Sequence, residues 1–482
     1  MPTLIFYLKD YMRSAKLTMA KILTVLFVAC GLQMSATAQE NSPYSRYGLG
    51  DLTPNHNAST RGMGGISAGV ADFINFDVTR PAKINTYKLQ ASNSNSINFS
   101  NPASLGTVKN TIFDVGTEVD YRILKSTNPA KKFTSANTYI SYLQLAFPLT
   151  TPKMERKDIN WAMSIGLRPV TKINYKIEKD ERLTGIDSLH TLYEGNGGVN
   201  QAYLGTGFKY KNFSIGFNAG YMFGSKDYST KLTLVNDSTY YYMSNSENKT
   251  TFGGFFINGG IQYDLALAKD DKNNVTKNLR LGVYGNMQQN LKANNDLTRE
   301  IIIYDNNGNQ YQLDSVYAEK DVKGTIKYPA TVTVGGVYQD PNWLIGADFE
   351  YGNWASYRYY GQADQVQNNW TIRVGTQYFP AKESKATRKY ANYVKYRAGF
   401  YYGPDYIKTS ASNRPEYGFT IGTGMPLTSV KRANAYAGYV VLNTGLEFGS
   451  RGNKQTNVRE SLVRFNIGIS MNARWFQRAK YN

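Results

Sequence analysis

The 482-residue chain has one cysteine, two histidines and no apolar run long enough to cross a bilayer as a helix. Its single cysteine, Cys30, falls within the first 38 residues, so the remainder has no disulfide framework, thiol nucleophile or cysteine metal site. His56 and His190 lack a neighbouring carboxylate pattern and read as two solvated loop residues rather than metal ligands. The phosphate-cradling G-x-x-x-x-G-K-[ST] pattern is missing too. Gly65-Ile66-Ser67-Ala68-Gly69 fits the G-x-S-x-G spacing of a nucleophile elbow, but no buried strand precedes it, so glycine-rich packing explains it better. These absences predict a non-enzyme that needs no cofactor and no metal.

What is present begins with an export signal. Lys9, Arg13, Lys16 and Lys21 precede the apolar run from Ile22 to Ala29, and Ser35-Ala36-Thr37-Ala38 follows it. That order predicts a signal peptide over 1–38, cleaved after Ala38, with Met12 and Met19 as alternative starts. The run is too short for a membrane anchor, and Phe27 is a poor fit for a lipid-acceptor motif at Cys30. The formal net charge is +19; segment 1–38 holds four basic residues and Asp10, which leaves +16 for the rest. Without a nucleic-acid motif, and with an export signal, that charge points to anionic outer-membrane lipid and lipopolysaccharide as partner.

Aromatic residues make up 14% of the chain, with 39 tyrosines against 22 phenylalanines, as suits a protein meeting both lipid and water. From about residue 110 the sequence repeatedly takes a period of two, which sends alternate side chains to opposite faces of a strand. Val463, Phe465, Ile467, Ile469, Met471, Ala473 and Trp475 fall on one face of the last run, and Arg464, Asn466, Gly468, Ser470, Asn472 and Arg474 on the other. Similar runs recur at 113–122, 161–168, 213–223, 255–267, 330–338, 343–351 and 436–448. Each is long enough to cross a bilayer at a tilt.

Lys211-Asn212 and Asp340-Pro341-Asn342 make tight turns, whereas 179–199, 225–250 and 290–324 are long and polar. Short turns at one end and long loops at the other predict an all-β transmembrane antiparallel barrel of about 14 strands, the first over 110–122 and the last over 461–476. Closure leaves no unpaired edge in lipid. Asp114, Glu118, Asp120, Arg122, Arg168, Asp348, Glu350, Arg464 and Arg474 lie on the polar strand faces and are expected in the lumen, paired with one another. A basic residue facing lipid at midplane would cost about 2 to 4 kcal/mol.

The division expected is a signal peptide over 1–38, an N-terminal plug over 39–109 and a barrel over 110–482. Residues 39–109 mix glycine, serine and asparagine without sustained periodicity, as irregular backbone buried in a lumen would. Here the chain resembles the FadL family of outer-membrane transporters for long-chain fatty acids and aromatic hydrocarbons. Arg61-Gly62-Met63-Gly64-Gly65 followed by Asn101-Pro102-Ala103 is similar to that family's N-terminal hatch. Pro329 through Gly336, Asp340, Trp343, Asp348, Tyr351 and Trp354-Ala355-Ser356 resemble a strand pair leading into a Trp-Ser element. The 35 residues from Ile66 to Ser100 form a longer spacer than the family pattern.

The resemblance implies a 14-stranded barrel in the cell outer membrane, with Arg61, Gly62, Gly64, Gly65, Asn101, Pro102 and Ala103 at the hatch and a lateral opening for a hydrophobic ligand. Passive uptake of such small molecules is the function expected. A structural partner of a protein secretion apparatus is the alternative.

Overall fold

The computed structural model describes residues 42–71, 96–127, 130–182, 184, 188–235, 240–269, 275–380, 389–408, 414–427, 439–453 and 458–473. The expected signal peptide, Cys30, Arg474, Trp475 and much of the long spacer lie outside the described residues. Fourteen antiparallel strands form one closed wall. They are β1 (Thr111–Thr127), β2 (Ala130–Pro148), β3 (Ile159–Arg182), β4 (Ser188–Tyr210), β5 (Phe213–Val235) and β6 (Met243–Lys269), then the composite β7 (Val275–Asn286 with Gln289–Tyr304) and β8 (Gln310–Tyr328 with Thr331–Gln339), then β9 (Trp343–Gly352), β10 (Asn369–Tyr378), β11 (Lys395–Pro404), β12 (Pro415–Pro426), β13 (Tyr439–Arg451) and β14 (Val458–Ala473). β14 pairs with β1 from Val458 opposite Ser126 to Asn472 opposite Ile112, which closes the barrel.

The period of two does what physics requires of it. On β14, Phe465 and Met471 are exposed to 40% and 39%, while Arg464, Asn466 and Ser470 are buried. The same outward row continues through Ile165, Leu204, Phe217, Ile261, Val283, Val334, Ile345, Val374, Phe400 and Ile421, all exposed. No water satisfies a backbone group in hydrocarbon, so only a closed ladder can present such a surface there. Aromatics mark both rims, with Trp161, Trp343 and Tyr378 toward the short turns and Tyr221, Tyr351 and Tyr402 toward the long hairpins. Among the described residues, no helix is long and apolar enough to cross a membrane.

The strand count matches the sequence reading; the long loops do not. The segments 179–199, 225–250 and 290–324 are mostly strand. β3 runs to Arg182 and β4 starts at Ser188, β5 runs to Val235 and β6 starts at Met243, and β7 and β8 pair out to Tyr304 and Gln310. These hairpins stand beyond the lipid belt. Neither face meets hydrocarbon there, so polar side chains occupy both faces while the backbone ladder still satisfies itself. Asp305 closes the β7–β8 tip by accepting from the side-chain amide of Asn309 and from the backbone of Asn309 and Asn307, and these bonds hold its carboxyl below the usual range.

One wall strand leaves the sheet. β9 ends at Gly352, the 3-10 turn Trp354–Ser356 follows, and Arg358–Tyr359 returns to pair with Lys327 and Ile326 of β8. Trp354 is thereby turned inward and buried, with its ring 4.4 Å from Tyr406.

Candidate functional site

The lumen is occupied by residues 42–71 and 96–109, nearly all of them buried. Two capped turns organise this inner segment. Asn57 accepts from Thr60 N at 2.9 Å to cap the helical turn Ala58–Arg61. Asn101 accepts from Ala103 N at 3.1 Å ahead of the 3-10 turn Pro102–Thr107, whose first position suits proline because its N–H would have no partner. The Asn-Pro-Ala signature is therefore a cap, and Asn101 Nδ2 also donates to Ala68 O at 2.7 Å, which joins the two parts of the segment.

Wall glycines receive the segment. A Cβ at Gly375 would stand 2.1 Å from Met63 O, one at Gly216 2.4 Å from Pro102 O, and one at Gly399 2.1 Å from Gly64 N. Gly207, Gly260, Gly282, Gly346, Gly422 and Gly468 likewise face Leu105, Asn101, Ala68, Ile66, Gly62 and Ala58. Nine of the fourteen strands thus give up a side chain where the inner segment touches them. Gly64 sits at φ +68° and donates to Thr420 Oγ1 at 2.8 Å. A side chain there would meet the backbone of β10 and β11 as well as the strain of that φ.

Charge fills the space on the opposite side. Arg61 lies 2.9 Å from Glu118 and 3.0 Å from Glu447, and Arg464 lies 2.9 Å from Glu447 and 3.4 Å from Asp120. Arg122 continues the chain to Asp120 and to Asp51 of the inner segment, and Arg451 carries it to Asp51, Glu416 and Glu460. Arg414 ends it against Asp405 at 2.7 Å. Most members are almost fully buried, so each charge needs its partners in place. The network bolts the inner segment to β1, β13 and β14.

The wall is weakest between β2 and β3. Their ladder holds only from Leu143 opposite Leu167 to Pro148 opposite Ala162. A register shift near Gly116 on β1 leaves Ser141 as a bulge in β2, and a second shift spans Pro169–Thr171 on β3. Pro169 has no N–H to offer a ladder. Beyond these points 130–142 pair with β1 alone. The free edge of β3 is taken instead by the inner segment, with Asp51 and Leu52 opposite Lys172 and Thr171, and Thr53 N donating to Val170 O at 3.0 Å. At the foot of the seam Tyr203 donates to Gln144 Oε1 at 3.0 Å, reaching across Gly166, where a Cβ would meet the Tyr203 ring.

Two hollows lie on either side of this seam. The inner one, about 200 Å³, is lined at the seam by Arg168, Val170, Leu52 and Thr53, with Met222, Phe256, Tyr328 and Trp354 behind. The outer one, about 750 Å³, faces lipid and is almost wholly apolar, lined by Phe113, Leu143, Leu145, Ile165, Leu167, Leu204 and Ala219.

Asp114, Glu118, Asp120, Arg122, Asp348 and Arg464 all point inward and are buried, while Arg168 and Glu350 line the inner hollow. Asp114 and Asp348 make no ion pair among the described residues. Asp114 accepts from Ile97 N, Gln144 and Ser470, and Asp348 from the backbone of Ser67 and Ala68. Arg168 bonds Gln201 at 2.9 Å. Ser67 meets the Tyr284 hydroxyl at 2.8 Å, so no histidine stands ready to activate it. His56 is not a solvated loop residue: it is buried beside Gly65. His190 lies on β4, 2.6 Å from Asp180 on β3, because the hairpin brings together positions that are ten apart in sequence. Among the described residues, no group of three His, Cys, Asp or Glu could hold a metal ion. Sequence reading missed Asp51, Asp405, Arg414, Glu416, Glu447, Arg451 and Glu460. Glu447 and Glu460 were findable by the same inward parity as Arg464.

Closed, belted in lipid-facing side chains and filled by its own N-terminal segment, the molecule is an outer-membrane β-barrel. Its sequence matches the BamG family over residues 19–93 and 90–482, and the chain belongs to that family. No curated protein matches the sequence. Among solved structures it is similar to the P. putida toluene transporter TodX, at 15% identity over 88% of this chain and 100% of that one, with a TM-score of 0.51. A Pseudomonas aeruginosa FadL homologue matches at 14% identity over 89% and 100%, TM-score 0.49, and the CymD monoaromatic hydrocarbon channel at 12% over 89% and 100%, TM-score 0.46. The FadL-like resemblance read from the sequence thus holds for the fold.

Proposed function

We propose that this barrel passes small hydrophobic molecules across the outer membrane, releasing them sideways through the β2–β3 seam. One observation carries the reading. The partly aromatic inner hollow, the end of the β2–β3 ladder and the apolar outer groove lie in line, so an apolar solute on that path would be shielded from the polar headgroups. The glycine-fitted inner segment supports it, because a straight aqueous route is blocked. Arg61, Gly62, Gly64, Gly65, Asn101, Pro102 and Ala103 would form the hatch, and Gln144 with Tyr203 the latch at the seam. The similar fold named a toluene transporter agrees with a ligand of this class; a long-chain fatty acid is the other candidate.

A structural partner of a protein secretion apparatus is the second reading. Supporting it is the β8 extension, where Gln310–Thr325 pair with β7 alone and Tyr311, Leu313, Val316 and Tyr317 are exposed. Mass spectrometry of the detergent-purified protein against a mock purification separates the two. Enriched hydrocarbons or fatty acids support uptake. A stoichiometric protein partner with no small molecule but detergent overturns it in favour of assembly.

A further inference from the structure

Lys125 on β1 stands directly opposite Arg459 on β14 at one side and Lys132 on β2 at the other. All three are exposed, and the alternation that sends Tyr121 and Ile123 outward sends Lys125 outward too. Three cations therefore form one row across three neighbouring strands. Like charges set directly opposite in a sheet repel, yet none of the three joins an ion pair among the described residues. Among the described residues, the one side-chain bond of the row runs from Arg459 to Ser450 at 3.3 Å.

Position gives the row its meaning. Going outward along β1 the exterior side chains are Val119, Tyr121, Ile123 and then Lys125, so the cations lie one outward step, roughly 7 Å, beyond the last apolar residue. That is headgroup depth. The β1–β2 and β13–β14 hairpins are also short, with strand ends at Thr127, Ala130, Arg451 and Val458, whereas β3 to β8 rise well above the membrane. Among the described residues, the row lies on the low side of the barrel.

We propose that Lys125, Lys132 and Arg459 bind the phosphate of a phosphorylated glycolipid headgroup in the outer leaflet. Such an anion bridges adjacent cations through charge-assisted hydrogen bonds and removes their mutual repulsion. The site is independent of the uptake reading, since it lies on the outer face and touches neither hollow.

The test uses the full-length protein in nanodiscs. Binding of bis-phosphorylated lipid A is compared for the wild type, for K125Q/K132Q/R459Q and for K320Q/K323Q on the exposed β8 extension as control. The first variant is expected to lose roughly a hundredfold in affinity, about fivefold per cation, with the control unchanged. Enzymatically dephosphorylated lipid A should bind the wild type roughly a hundredfold more weakly than intact lipid A binds the same wild type. This second comparison holds whether or not the variant folds well. Equal binding by wild type and first variant, or equal loss in the control, overturns the proposal. So does displacement by inorganic phosphate at the lipid's own concentration, which would make the row a site for free anion.

Discussion

Arg61 Nη2 lies 2.9 Å from Glu118 Oε2 on β1 and 3.0 Å from Glu447 Oε2 on β13, so one guanidinium of the inner segment spans two wall strands. Both carboxylates are buried, and Arg61→Met would leave them facing each other with Arg464 as their remaining cation. Removing one partner of a buried pair costs about 3 to 5 kcal/mol. The expected result is a lower unfolding temperature in detergent and new protease cleavage within 42–71. An unchanged melting curve with an unchanged digest would show that the network does not hold the segment.

A methyl group at Gly375 has no room beside Met63, while one at Gly259 meets nothing closer than 3.8 Å. Gly375→Ala should therefore loosen the inner segment and raise ion conductance in planar bilayers, with Gly259→Ala silent. Equal conductance in both variants would mean that the lumen is not sealed at this contact.

At the foot of the seam, next to the last rungs of the β2–β3 ladder, Tyr203 donates to Gln144 Oε1. Tyr203→Phe keeps the ring over Gly166 and removes the bond, a loss of about 1 kcal/mol. Uptake of a hydrophobic fluorescent probe by cells carrying the variant should rise if the seam is the exit. A rate identical to wild type would direct attention to another route.

Orientation in lipid can be read from tryptophan. Trp161 and Trp343 are exposed on the outer face, whereas Trp354 is 2% exposed inside the wall. In proteins that keep one tryptophan each, brominated lipid should quench the first two and spare Trp354. Quenching of Trp354 to the same degree would contradict its inward turn.

Strand number and facing were legible because lipid imposes a strict period of two, and Phe465 and Arg464 obey it as plainly in the sequence as in the wall. The extended hairpins were not legible. Outside lipid the period loses its apolar member, and Glu300, Arg299 and Thr298 look like loop even where they pair with Ser315, Tyr317 and Ala318. The seam was hidden for another reason. Pro169 and the extra Ser141 are each unremarkable alone, and only the register across four strands, β1 to β4, shows that they interrupt the same ladder. Within the lumen network, Asp51, Asp405 and Arg414 escaped because they lie outside the periodic runs.

The nine wall glycines also bear on the order in which this protein is made. A wall that gives up a side chain at nine contacts with its filling is expected to close around that filling rather than admit it afterwards. Threading the inner segment afterwards would require Gly62, Met63 and Gly64 to slide past backbone that leaves them no clearance at Gly422, Gly375 and Gly399. The expected order of assembly is therefore the N-terminal segment first and the β14–β1 closure last. A chain lacking 42–109 should insert slowly, and the same residues supplied later as a separate peptide should not rescue it.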